Sequence, residues 1–467
     1  MRLSLAAAAL AVLAAAPSAH SQSGPAPSQP AITVEYERFQ LDNGLDVILH
    51  RDASTPVITV NTWYHVGSAR ESPGRTGFAH LFEHLMFEGS GHVPEGAIDT
   101  WIEAAGGSTN GSTTTDRTNY YVDAASNALD LALFLDADRM ASLLDAMDPE
   151  SVDGQRDVVK NERRQSYENR PYGLAYSLLG QTLWPAGHPY HWPVIGSMED
   201  LSAASYDDVV QFYRTYYTPN NASLVVAGDL DLGEARGLVE KWYGSIPRGP
   251  ALPEQPVSRP QLDGETRLVH ADAVQLPRLY LAWHSPAAYA PADAAMTALA
   301  QVLSGGKNSR LYKRLVYDLE IAQDVAAFQD GNQLGGGFYI QATARPGISL
   351  DRLEAEIDAE VGRIQNEAPD ARELARVVNG IEASFLDGLE TVDGFRGKAD
   401  QLNAYLVNTG TPDYFQEDLS RFRALSPHDL SDAAMTFLTT DRVVLSIVPE
   451  DQPELAVSDS ETAVPLF

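Results

Sequence analysis

The chain has 467 residues, of which 44% are hydrophobic and 21% charged, a composition typical of a globular protein with about two to four domains. Lys and Arg total 33 against 64 Asp and Glu, and the resulting net charge of −31 argues against nucleic acid and anionic membranes as partners. The absence of cysteine excludes disulfides, thiolate catalysis and cysteine metal ligands, so any metal must be bound by nitrogen and oxygen atoms.

The first 21 residues have the pattern of an export signal. Arg2 gives a basic start, an Ala/Leu-rich apolar stretch follows, and small residues at Ala19 and Ser21 favour cleavage before Gln22. The stretch is too short to span a membrane, and no second long apolar run occurs. The sequence therefore predicts an exported, periplasmic protein without stable membrane insertion, with a Pro/Ser-rich leader over residues 22–31.

The first half of the predicted mature chain mixes strands and helices without strict βαβ alternation. Alternating apolar residues around a turn at Asn43-Gly44 predict a β-hairpin, and residues 57–66 predict a further strand. Helical patterns follow at residues 78–87, 96–105, 125–144, 151–167 and 206–217. A strand at 222–227 and a last helix at 232–243 come after them. This mixture predicts an α+β fold.

A Pro-rich linker over residues 249–261 separates this half from a second half with a similar order of elements. Its predicted strands and helices lie at residues 278–284, 292–303, 309–317, 337–344, 350–367, 427–438 and 443–448. Near the end of each half a helix leads into an apolar strand, 206–217 into 222–227 and 427–438 into 443–448. We therefore expect two homologous domains, 32–248 and 262–467, each with a mixed or antiparallel sheet and helices packed on it.

The sequence His80-Leu81-Phe82-Glu83-His84 carries the strongest chemical signal. On a helix, positions four apart share a face, so His80 and His84 can offer nitrogen atoms to one metal ion. Glu83 projects beside that face, where it could act as a general base on water. The alternative, two ordinary surface histidines, is disfavoured because the surrounding residues are apolar and indicate a mostly buried helix.

This inverted zinc motif resembles that of the pitrilysin or insulinase (M16) family of metallopeptidases. The surrounding stretch that carries the resemblance is Gly77-Phe78-Ala79-His80-Leu81-Phe82-Glu83-His84-Leu85-Met86-Phe87-Glu88-Gly89. Within that family, the sequence most resembles the bacterial relatives of mitochondrial processing peptidase. The resemblance spans nearly the whole mature chain. It includes Gly106-Gly107-Ser108-Thr109-Asn110-Gly111-Ser112-Thr113, His188-Pro189-Tyr190 and Tyr217-Thr218-Pro219-Asn220-Asn221.

The resemblance implies one Zn²⁺ per chain, bound by His80, His84 and a glutamate on a later helix. The matching glutamate is Glu162, and Glu83 would be the general base on zinc-bound water. Family members usually carry a supporting glutamate two helical turns before the third ligand. This chain has Gln155 there, which can form hydrogen bonds but supplies no negative charge.

The Gly-, Ser- and Thr-rich segment 107–113 predicts a loop by composition alone. By resemblance it is an edge strand beside the metal, where an extended peptide pairs with free backbone groups. Asn110, Gly111 and Ser112 are the candidate substrate-binding residues on this interpretation, since small residues permit another chain to approach. A purely structural turn is the alternative.

One departure from the family lies in the second half. Active relatives carry an Arg and, seven residues later, a Tyr that reach the substrate carbonyl from across a closed chamber. Val316 and Gln323 occupy the matching positions here. Either Arg310, Arg314 or Tyr317 substitutes for the pair, or a homologous partner chain supplies it. The second option predicts a heterodimer in which this chain forms half of a clam-shaped chamber.

The combined interpretation is a zinc metalloendopeptidase that hydrolyses extended or unfolded peptides inside a closed chamber. A catalytically silent scaffold subunit of the same fold is one alternative. Such subunits usually lose the zinc motif, which is intact here at residues 80–84. A peptide-binding subunit without turnover is another, although such a protein would not need Glu83.

Overall fold

The structure is a computed structural model that describes residues 31–255 and 260–467. The predicted export signal and most of the leader lie outside these residues, and the Pro-rich linker is described only in part. Thr33–Phe467 form one compact unit. Within the described residues, no helix combines the length and the apolar character that crossing a bilayer requires.

The first sheet has six strands in the spatial order β1-β2-β6-β3-β5-β4. Only β2 and β6 pair in parallel, and the other neighbours are antiparallel. The strands are β1 (Glu37–Gln40), β2 (Asp46–Arg51), β3 (Val57–Tyr64), β4 (Ser108–Thr113), β5 (Thr118–Ala125) and β6 (Ala222–Gly228). The predicted hairpin corresponds to β1 and β2, with Gly44 at a φ of 94° in the turn, a left-handed conformation that suits glycine.

Eight α-helices belong to the described part of the first half. They are α1 (Phe78–Glu88), α2 (Ala97–Ala104), α3 (Leu129–Ala146), α4 (Pro149–Arg163), α5 (Ala175–Leu183), α6 (Met198–Ala203), α7 (Tyr206–Tyr216) and α8 (Leu232–Tyr243). Several have clear start signals. Asp148 and Ser151 form a reciprocal cap at the start of α4, and Ser205 and Asp208 do the same for α7.

The second sheet repeats the first. Its order is β12-β7-β11-β8-β10-β9, with strands β7 (Thr266–Asp272), β8 (Arg278–Ser285), β9 (Ala322–Gly331), β10 (Gly336–Ala344), β11 (Val443–Pro449) and β12 (Glu461–Thr462). Replacing β1 by β12 gives the same spatial order as in the first sheet. The predicted α+β fold with two homologous mixed-sheet domains is confirmed, and the duplicated strand order explains why the two halves of the sequence resemble each other.

The helices of the second half are α9 (Asp293–Ser304), α10 (Leu350–Asn366), α11 (Ala371–Gly388), α12 (Lys398–Thr409), α13 (Phe415–Arg423) and α14 (Pro427–Phe437). Residues Tyr312–Asp318, predicted as part of a regular helix, form a wider π-helical turn. Such turns change the direction of side chains within a helix.

Each half contributes one helix to the sheet of the other half. Helix α5 packs on β8 and β11 through Leu178, Leu179 and Leu183. Helix α12 packs on β3 and β6, where Asn403 donates to the carbonyl oxygen of Asn61 at 3.0 Å and accepts from Ser223 at 2.7 Å. Each sheet is thereby covered on both faces, which explains why β6 and β11 are buried along their whole length.

Candidate metal centre

Helix α1 presents its apolar side to the core and its polar motif to the opposite side. Phe82, Leu85 and Met86 are almost fully buried. The helix starts at Gly77, where a φ of 91° gives an abrupt entry. The carboxylate of Glu71 accepts hydrogen bonds from the backbone N–H groups of Gly77 and Ala79, both at 2.8 Å, and so satisfies the free donors of the first turn.

The structure brings His80, His84 and Glu162 together, as the sequence predicts. Nε2 of His84 lies 3.3 Å from Oε2 of Glu162, and Nε2 of His80 lies 3.7 Å from the same oxygen. Two ligand atoms at about 2.1 Å from a tetrahedral zinc ion are roughly 3.4 Å apart. The three side chains therefore fit one metal ion, and they form the one such group of three or more His, Asp or Glu side chains in the part of the chain that is described.

The protonation states of His80 and Glu162 suit metal binding. Burial lowers the pKa of His80, so its ring is neutral near pH 7. The hydrogen bond from His84 lowers the pKa of Glu162, which keeps this residue a carboxylate. Neutral imidazoles and a carboxylate are the forms in which these residues bind metals.

Glu83 lies beside this group without belonging to it. Its side chain lies near Thr113 of β4, and burial raises the pKa of its carboxyl group. The charge of Arg117 acts in the opposite direction. A half-buried carboxylate with a raised pKa is a stronger proton acceptor than a solvated one, as a general base requires.

Segment 108–113 is an edge strand and not the loop that composition alone suggests. Strand β4 pairs with β5 on one side and forms the end of the first sheet. Gly111 serves the internal packing of the protein, because a Cβ atom there would lie 3.2 Å from the rings of Phe87 and Tyr120. The side chain of Ser112 donates to Asn119 at 2.7 Å. The role of Asn110, Gly111 and Ser112 toward a substrate stays a prediction.

Comparison with known proteins places this arrangement in a family. Residues 46–184 match "Insulinase (Peptidase family M16)", and residues 203–381 match "Peptidase M16 inactive domain". The zinc protease PqqE of Helicobacter pylori is 31% identical over 367 residues, which are 78% of this chain and 82% of that protein. The chain belongs to the M16 peptidase family.

Two solved protease structures have the same fold. The crystal structure of a protease from Helicobacter pylori is 29% identical, with a TM-score of 0.84 over 89% of this chain and 100% of that one. The periplasmic protease PqqL from Escherichia coli is 19% identical, with a TM-score of 0.74. That match covers 92% of this chain but 50% of PqqL, so the whole M16 fold seen here corresponds to half of that longer chain.

Gln155, at the position where the family resemblance implies a supporting glutamate, connects the two helices of the site. Its side-chain amide donates to Oε1 of Glu88 at 2.6 Å, joining α4 to the end of α1. Burial and the nearby Glu95 raise the pKa of Glu88. An uncharged amide suits this position, because a further carboxylate would add to the repulsion between Glu88 and Glu95.

Sequence reasoning missed Arg117, which lies behind the edge strand. Its guanidinium donates to the carbonyl oxygen of Ser112 at 2.8 Å and to Oδ1 of Asn119 at 3.0 Å. Asn119 donates in turn to Asp400 of α12 at 3.3 Å. These contacts brace β4 from the face opposite α1. A single basic residue among the loop and strand residues after 113 gave no signal of this role.

The candidate replacements for the family's Arg/Tyr pair are not equally available. Arg310 pairs with Glu373 at 2.8 Å, and Arg314 pairs with Glu356 at 2.9 Å. The side chain of Tyr317 is 76% exposed. Val316 packs at the edge of the second core, and Gln323 is exposed.

Proposed function

We propose that this chain is a zinc-dependent endopeptidase that hydrolyses extended peptides. The single observation that carries the proposal is the convergence of His80, His84 and Glu162 with Glu83 beside them. The name of the H. pylori relative, zinc protease PqqE, supports it. Zinc bound by these three residues would polarise the scissile carbonyl group and lower the pKa of water.

The chain's own residues would perform the proton transfers. The carboxylate of Glu83 would accept a proton from the attacking water and then deliver it to the amide nitrogen that leaves. Its raised pKa favours the first transfer, and its place beside Thr113 puts it near the edge strand. The unpaired side of β4 would hold the peptide in an extended conformation through backbone hydrogen bonds.

Four variants test this assignment. We expect His80→Ala, His84→Ala and Glu162→Gln to lose zinc and activity together, whereas Glu83→Gln should keep zinc and lose peptide cleavage. Zinc content by elemental analysis and cleavage of an unstructured peptide provide the two readouts. Stoichiometric zinc in Glu162→Gln would remove that residue from the ligand set.

The same measurements separate the alternatives. A peptide-binding subunit would bind zinc and peptide, and Glu83→Gln would change neither property. A silent scaffold would show no cleavage with or without zinc, and also none in the presence of a homologous chain that carries the Arg/Tyr pair. Either outcome would overturn the proposed peptidase activity.

We further propose that the active assembly contains a second homologous chain and that the pair encloses a chamber. Two points support this. The chain covers 50% of the E. coli protease PqqL, and Val316 and Gln323 occupy the positions for which the family resemblance implies an Arg/Tyr pair. A periplasmic location fits the export pattern of the first 21 residues and the name of PqqL. The partner would supply the missing pair.

A further inference from the structure

The candidate metal group is divided between two helices. Helix α1 carries His80 and His84, whereas Glu162 lies near the end of α4. Nothing within either helix fixes the distance from the Glu162 oxygen to the two ring nitrogens. A displacement of α4 by about 1 Å would be enough to spoil the ligand geometry. Some contact between the helices must therefore hold them in register.

Arg163, the residue directly after Glu162, is the best-connected side chain at this point. It is only 3% exposed. Its guanidinium donates to backbone oxygen atoms of Gly196 and Phe467, and its Nε lies 3.2 Å from Oε1 of Glu168. All three nitrogens are thus engaged, two of them with backbone oxygens from distant parts of the chain. A planar, fully bonded guanidinium gives a fixed geometry.

Gly196 connects Arg163 to the start of α1. Its backbone lies against Gly77, the residue from which α1 begins, and a Cβ atom on Gly196 would come within 2.4 Å of the Cα atom of Gly77. The next residue, Ser197, donates its backbone N–H to Oγ1 of Thr76 at 2.9 Å. Segment 196–197 is therefore firmly attached to the first turn of the helix that carries both histidines.

We propose that Arg163 is a positioning residue that sets zinc affinity by tying Glu162, through Gly196 and Gly77, to the helix of His80 and His84. This inference rests on the proposed zinc site and adds a residue outside the ligand set. Arg163 approaches the site from the N-terminal end of α1, whereas Gln155 bonds to Glu88 at its C-terminal end. Of these two contacts between α4 and α1, the one made by Arg163 lies next to the metal ligand Glu162 in the sequence.

Arg156 offers a matched control on the same helix. It is also buried, and its guanidinium also donates to a backbone carbonyl oxygen, that of Ala204, at 2.6 Å. Its other partner is the nearby Asp153. None of these contacts reaches α1, so a loss of general stability should follow from either arginine, but a loss of zinc affinity should follow from Arg163 alone.

The test measures zinc affinity of the metal-free full chain by competition with a chromophoric chelator, at a temperature where every variant is folded. We expect Arg163→Met to bind zinc about 10- to 100-fold more weakly than the parent, the range found for residues that orient ligands. Arg156→Met should stay within about threefold of the parent. Should Arg163→Met not fold, Arg163→Lys decides in its place, with an expected loss of at least about fivefold because one amine cannot replace the fork of donors.

The outcomes are distinct. Parental affinity in the folded Arg163 variant, or an equal loss in both arginine variants, overturns the positioning role alone. Absence of zinc binding by the parent overturns the proposed metal site and the inference with it. A selective loss in the Arg163 variant supports both.

Discussion

Asp123 on β5 shows how burial of one carboxyl group makes stability depend on pH. Its Oδ1 accepts a hydrogen bond from Thr59 at 2.6 Å, and burial, with Asp393 nearby, raises its pKa from 3.8 to about 6. Between these two values the folded chain binds more protons at this site than the unfolded chain does. The contribution of Asp123 to the free energy of unfolding therefore falls as pH rises from 3.8 to 6, and the loss is complete above 6.

We expect Asp123→Asn to remove this loss, because the amide stays neutral and can still accept from Thr59. The variant should exceed the parent in free energy of unfolding by about 1–3 kcal/mol at pH 7.5 and should match it near pH 3.5. Urea denaturation across this range gives the comparison. His65, whose pKa burial lowers to about 4, acts in the opposite direction in both proteins and cancels in the difference. A difference that does not change with pH would contradict the assignment.

At the scale of single elements, the edge strand β4 depends on one glycine. A side chain at Gly111 would press on Phe87 of α1 and move β4 away from Glu83. We expect Gly111→Val to cost about 1–3 kcal/mol of stability through overpacking, and to reduce peptide cleavage more than tenfold while zinc content is unchanged. Urea denaturation, a cleavage assay and elemental analysis measure these three effects.

Gly154 in α4 is the control for this glycine. A Cβ atom there meets no other atom within 4 Å, so Gly154→Ala should stabilise the protein by about 0.5–1 kcal/mol without affecting cleavage. Equal cleavage by Gly111→Val and the parent would show that the position of β4 does not matter for activity.

Helix α12 depends on a buried amide for its place on the first sheet. Asn403 is fully buried, and its removal leaves the carbonyl oxygen of Asn61 and the hydroxyl group of Ser223 without this partner. We expect Asn403→Ala to lower the free energy of unfolding by about 2–4 kcal/mol. Asn408→Ala on the same helix should cost less than about 1 kcal/mol, because Asn408 bonds only to Ala404 within its own helix. Urea denaturation tests both, and equal losses would show that the contact with the sheet is not special.

The sequence predicted elements well where local signals were strong, and poorly where long-range packing decides. Helix α8 starts and ends at the predicted residues, and α1 differs by one residue, because their apolar periodicity and ends are clear. Nothing in the apolar pattern of α12 says that it packs on the sheet of the other half. The same holds for the site: spacing identified His80 and His84, and the family resemblance identified Glu162. The partners of Gln155 and Arg163 depend on how two helices meet.

At the scale of the whole molecule, the two halves share one fold but differ in the chemistry of their side chains. The two sheets share one strand order, yet only the first half carries a group of three metal-binding side chains among the described residues. The second half holds Val316 and Gln323 at the positions for which the family resemblance implies an Arg/Tyr pair. On the proposed function, this chain carries one half of a peptidase site, and the complementary half would come from another chain or from different residues.

The last prediction is that this chain alone cleaves peptides very slowly and that a homologous chain with the Arg/Tyr pair restores the rate. Arg310 and Arg314 are held by carboxylates, so neither is free to act on a substrate without breaking an ion pair. Loss of oxyanion donors costs about 2.7–4 kcal/mol, or roughly two to three decades of rate. Peptide cleavage by the purified chain, with and without each co-expressed homologue, measures the effect. A homodimer would lack the Arg/Tyr pair in both copies, so self-association alone should not raise the rate of cleavage. Val316→Arg combined with Gln323→Tyr should raise it by about two decades in a homodimer. Fast peptide cleavage by the isolated chain, at a rate that no homologue changes, would contradict the prediction. Tyr317, which is 76% exposed, would then be the next residue to test.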